Sequence, residues 1–163
     1  MKKVKDGLVT VYKIIATVSF SVMLISAAVQ VFCRYVLGNS PMWTEELARY
    51  MFITASMAAA VVALDLGSHM VVDLVTSKLK GNVKVVMEVL SLLLIMVFCL
   101  VTSRLGIELC QKTMSQPSPA MHIPMGLVYA TIPMGCIGML VIALEQLLEK
   151  ILPRYRQKPA EER

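Results

Sequence analysis

Polar and apolar residues do not alternate along this chain at the period of a water-facing helix. They come in blocks. Ile14 to Cys33 is an uncharged run of twenty residues. At about 1.5 Å per helical residue, such a run crosses the roughly 30 Å hydrocarbon layer of a bilayer. Further blocks run from about Leu47 to Leu64, Val85 to Ser103 and Ile123 to Leu144. The middle two have uncharged cores of fifteen residues each, Tyr50–Leu64 and Val89–Ser103. They reach spanning length only if Arg49, Glu88 and Arg104 are included, whose long side chains can reach the interface. No block carries a polar stripe to face water, which argues against a soluble bundle.

The pattern predicts an all-α integral membrane protein with four transmembrane helices, at about 10–33, 46–65, 85–107 and 123–147. Together they form one domain over 1–152. A charged tail, 153–163, is expected to be disordered. The first block follows Lys2, Lys3, Lys5 and Lys13 and resembles a secretory signal. Its apolar stretch is longer than the usual signal core of about 7–15 residues, so it is read as an uncleaved anchor. With the N-terminus inside, twelve Lys and Arg fall on the cytoplasmic side and four on the outer side (Arg34, Arg49, Arg104 and Lys112). This bias predicts that both termini are cytoplasmic.

Small residues inside the spans point to close helix packing. Ala55, Ala59 and Ala63 recur at four-residue spacing in the second span. Backbones approach closely at such faces, where packing drives association in lipid. The fourth span carries Gly126, Ala130, Gly135 and Gly138, and Pro133 is expected to kink it near its middle. These faces serve either the bundle itself or a second membrane protein.

Composition narrows the chemistry. The chain has 163 residues, 57% of them hydrophobic, and a mean hydropathy of +0.71. Its net charge of +5 sits at the helix ends, so it gives no case for nucleic-acid binding. Four Cys without a Cys-x-x-Cys pair and two His give no metal signature. Cys33 and Cys110 lie near one face and leave a disulfide open, beside the plainer reading of buried thiols. No nucleophile–base constellation is present, so no catalytic residue and no cofactor is expected.

The most informative stretch joins the first two spans, from Arg34 to Arg49. Asn39 or Ser40 before Pro41 signals a helix start, and Trp43 and Tyr35 suit the interfacial belt. Glu45 and Glu46 lie near the positive end of the next helix, with Glu45 four residues before Arg49. Singly, each fits a helix cap. Together they favour Arg34 folding back onto Glu45 or Glu46, since a carboxylate beside hydrocarbon is costly without a partner. His69 lies in an expected inner loop, Asp65 to Asp73, as a helix cap or headgroup contact rather than a metal ligand. His122 falls on the opposite face, so the two cannot hold a haem between them. No ionisable residue lies near the middle of any span, where a pump or coupled transporter needs one. The residues describe a non-catalytic membrane subunit.

The pattern Phe32, Arg34, Tyr35, Asn39, Trp43, Glu45, Glu46, Leu47, Arg49 and Phe52, then Gly67, His69 and Asp73, resembles the small membrane subunit of tripartite ATP-independent periplasmic (TRAP) transporters. Pro119-Ala120-Met121, Pro124, Tyr129, Pro133 and Gly135 extend the resemblance to the last span. That family often has Trp where this chain has Thr54, Gly where it has Ala59, and a basic residue where it has Asp65. The resemblance implies a subunit of the bacterial inner membrane that scaffolds a large membrane subunit. It also implies a platform on which a periplasmic solute-binding protein docks. Transport would be sodium-driven uptake of organic acids, of the C4-dicarboxylate or sugar-acid class. Arg34, Asn39, Trp43, Glu45, Glu46, Arg49 and His69 would then serve structure and assembly, and Ala55, Ala59 and Ala63 the partner interface. The competing readings are a redox-enzyme anchor binding haem or quinone, which lacks a His pair at matching depth, and a self-contained exporter, which lacks a membrane-embedded charge.

Overall fold

The computed structural model describes residues 2–76 and 82–157, with side chains described over 5–66 and 86–148. The described residues form helices α1 (Lys2–Val36), α2 (Met42–Thr76), α3 (Asn82–Thr113), α4 (Met125–Tyr129) and α5 (Thr131–Gln157). Among the described residues four stretches are long and apolar enough to cross a membrane: Lys5–Val36, Met42–Leu66, Val86–Thr113 and Met125–Leu148. The protein is therefore all-α with four membrane-spanning segments, as the hydropathy blocks predict.

The helices are longer than the apolar blocks that mark them. At about 1.5 Å per residue, α1 is about 52 Å long, well beyond the hydrocarbon thickness, and must tilt or protrude. Hydropathy locates the lipid crossing, whereas a helix continues until something stops it. For α1 the stop is Gly38, at φ +66°, a left-handed conformation open to glycine at little cost. Leu37 N–H closes the last turn onto Cys33 O (3.1 Å). For α2 no stop occurs near Leu66, and the helix runs on to Thr76. The expected inner loop from Asp65 to Asp73 is thus helical, and the side chain of His69 lies outside the described residues. At the other end of the chain α5 extends to Gln157, into the segment expected to be a tail.

Packing follows the order α1, α2, α5, α3. α1 packs on α2, α2 on α5 and α5 on α3, with α4 seated against α3. Val9, Val61 and Ile142 form a buried cluster where α1, α2 and α5 meet. The glycines of the fourth span are seats for the other helices. A Cβ on Gly126 would lie 2.6 Å from Cys110 O of α3, and one on Gly135 would lie 3.1 Å from Met57 of α2. One on Gly138 would lie 2.7 Å from the hydroxyl of Tyr12, on α1. That hydroxyl donates to Met134 O at 2.8 Å. This small-residue face is consumed inside the bundle.

The irregularity expected from Pro133 lies just upstream of it. The last span is interrupted at Ala130, and Pro133 stands in the first turn of α5. Proline has no N–H to bond Tyr129 O, and its ring crowds that carbonyl. The break therefore falls just upstream, where Thr131 Oγ1 donates to Val128 O (2.8 Å). The lateral surface is apolar, with Ile14, Val18 and Ile25 of α1 and Leu94, Phe98 and Leu105 of α3 all exposed. In water such a surface would aggregate; in a bilayer it is solvated by lipid or covered by another helix.

Candidate functional site

The turn between α1 and α2 and the loop between α3 and α4 lie at the same end of the bundle, because Glu46 joins them. The residue is 9% exposed. One carboxylate oxygen accepts the amides of Ala120 (3.0 Å) and Met121 (2.8 Å). The other accepts the hydroxyl of Tyr50, one helical turn on, and the Ser118 hydroxyl also reaches the carboxylate. Four donors surround one anion, so the cost of burying it is offset by charge-assisted bonds rather than by a cation. The two stretches that carry the family resemblance, 34–49 and 119–135, meet at this residue.

The expected Arg34 pairing does not form. Arg34 is exposed, and among the described residues nothing joins it to either carboxylate. Glu45 pairs instead with Arg49 at 3.0 Å, both side chains being more than half exposed. The helix start also differs from expectation. Among the described residues no side-chain bond from Asn39 or Ser40 caps α2. The fully buried Thr44 donates to Pro41 O at 2.7 Å. Trp43 is about half exposed, as an interfacial aromatic should be.

The loop from Pro117 to Pro124 is folded on itself. Ser118 N–H donates to Ile123 O (2.9 Å), His122 N–H to Ser118 O (3.2 Å) and Met125 N–H to Gln116 O (2.9 Å). Ser118 Oγ accepts Ile123 N–H at 3.2 Å, and Pro117 bridges to Pro124. His122 sits at the tip, exposed, at φ 55°. Between this loop, α4 and the start of α2 lies an open cleft of about 340 Å³, with Glu45, Arg49 and Tyr129 at its polar part and Ile53, Met125 and Val128 at its apolar part. Sequence reasoning missed this assembly, although the prolines at 117, 119 and 124 announce an ordered loop.

Along α2 the exposed positions from Thr44 to Leu66 are Glu45, Arg49, Phe52, Ser56, Ala59, Ala63 and Leu66. Their spacing alternates four and three, a 3.5-residue repeat. Ala59 and Ala63 belong to this stripe, but Ala55 does not, being 7% exposed inside the bundle. Four-residue steps rotate about 40° each around an α-helix, so the three alanines spread over about 80°, and Ala55 falls on the side turned into the bundle. At the opposite end of the bundle Lys5 and Asp65 form an ion pair (3.0 Å) with both side chains largely buried, and Gln146 Nε2 donates to Leu64 O (3.1 Å). Asp65, where the resembled family often has a basic residue, thus meets a cation from α1. All four cysteines are free, including Cys33 and Cys110.

No group of three or more His, Cys, Asp or Glu side chains gathers among the described residues to hold a metal ion. The geometry is that of helix packing and loop latching. No curated protein matches the chain. Residues 23–152, well over half of its length, match the family described as "Tripartite ATP-independent periplasmic transporters, DctQ component", and with four apolar spans and the 34–49 and 119–135 stretches joined at Glu46, the chain belongs to that family of transporter components.

Proposed function

We propose that this chain is the scaffolding subunit of its transporter. It braces the large membrane subunit in the bacterial inner membrane and contributes to the platform on which the periplasmic solute-binding protein docks. The complex takes up organic acids, of the C4-dicarboxylate or sugar-acid class, with a sodium gradient. Both termini face the cytoplasm, so the end bearing Glu46 and the 117–124 loop faces the periplasm. The chain itself carries no catalytic residue and no translocation site.

The observation that carries the scaffold reading is the exposed stripe on α2. A 3.5-residue repeat with Ser56, Ala59 and Ala63 at its centre suits a second helix crossing at a shallow angle with close backbone approach. The absence from the sequence of any ionisable residue near a span centre agrees with a supporting role. Replacing Ala59 and Ala63 with leucine tests it. The variant should remain folded and inserted, yet lose the large subunit on purification in detergent. Ala55→Leu should instead destabilise the bundle by about 1–3 kcal/mol through overpacking. If the Ala59/Ala63 variant keeps its partner in full yield, α2 is not the interface.

A further inference from the structure

We propose that the Pro117–Pro124 loop, latched by Glu46, is the part of this chain that meets the soluble solute-binding component, with His122 as its contact residue. The inference rests on the docking reading above and assigns it to a place. Three observations converge. The loop's backbone is committed internally: Ser118 and Ile123 bond each other, His122 N–H bonds Ser118 O, and Ala120 and Met121 donate to Glu46. A surface fixed before contact loses little entropy on binding. Next, His122 holds a left-handed backbone conformation, φ 55°, which is uncommon for a residue other than glycine. Its imidazole remains exposed, so the side chain does not serve the bundle's packing. Such local strain is characteristic of sites that act on something else.

The third observation concerns charge. At this end of the bundle Glu45 pairs with Arg49, Glu108 pairs with Lys112, and Glu46 is occupied by the loop. Arg34 is exposed, with no ion pair among the described residues. The face therefore presents the guanidinium of Arg34 and the imidazole of His122 to water. The matching surface is that of a soluble protein offering carboxylates or other hydrogen-bond acceptors. A helix of the large subunit buried in lipid does not fit this chemistry.

His122→Gly is the decisive variant, because glycine relaxes the left-handed residue while removing only the side chain. Vesicles carrying the two membrane subunits are titrated with the solute-binding protein, and sodium-driven uptake is read. His122→Gly should raise the half-saturating concentration by about tenfold, the effect of losing one interface anchor, with the maximal rate unchanged. Arg34→Glu should act in the same direction, and its effect should shrink as salt screens the interaction. Glu46→Ala, which frees the loop, should do likewise while co-purification with the large subunit persists. An unchanged titration in His122→Gly overturns the proposal, as does loss of the large subunit, which would place the loop in the membrane interface. Wild-type vesicles without uptake would instead overturn the transporter reading itself.

Discussion

Glu46 illustrates how a buried charge is stabilised without a counter-ion. A sequence displays cations, and Arg34 is the nearest in the chain to need a partner. Backbone amides are anonymous in sequence, and those of Ala120 and Met121, more than seventy residues away, are the ones that bind. Arg34→Ala should therefore change folding stability by less than about 0.5 kcal/mol, the range for exposed positions, and charge-swapped Arg34/Glu46 pairs should rescue nothing. Thermal unfolding in detergent checks both. Glu46→Ala should speed hydrogen exchange at Ala120 and Met121, since their amides lose their acceptor, with the α5 core amides unaffected. At the opposite end, Lys5 and Asp65 should show coupling in a double-mutant cycle, and exchanging the two charges should recover part of the loss of either single change.

At the scale of elements, the four spans and their helical type were legible because a twenty-residue uncharged run leaves few alternatives in lipid. Their ends were not. α2 continues past its apolar block to Thr76 because neither proline nor a capping turn halts it at Leu66. The alanine face was half legible: the small residues were visible, but their four-residue spacing hid that the exposed stripe follows 3.5. Gly135 and Gly138 were recognised as close-packing positions, and only the folded chain could tell which helix each receives. The seat at Gly138 yields a prediction. Tyr12→Phe removes one interhelical hydrogen bond, worth about 0.6 kcal/mol in a membrane. Gly138→Ala places a methyl 2.7 Å from the Tyr12 hydroxyl and should cost more. Pairing it with Tyr12→Leu should recover part of the loss in the same unfolding measurement.

For the molecule as a whole, the helix order α1, α2, α5, α3 sets α2 and α5 in the middle and leaves long lateral faces open. That arrangement suits a brace better than a channel, because the described helices meet through side chains such as Val61 and Ile142, both fully buried. The charge bias of twelve to four further predicts that a reporter active only in the cytoplasm works when fused at residue 163 and fails near Asn39. The central claim is that this chain supports transport without performing it. The direct measurement is organic-acid uptake into sealed vesicles under an inward sodium gradient, with this protein alone and with its large membrane subunit and solute-binding protein. Uptake should be absent in the first case and present in the second. Sodium-dependent uptake by this chain alone would contradict the account.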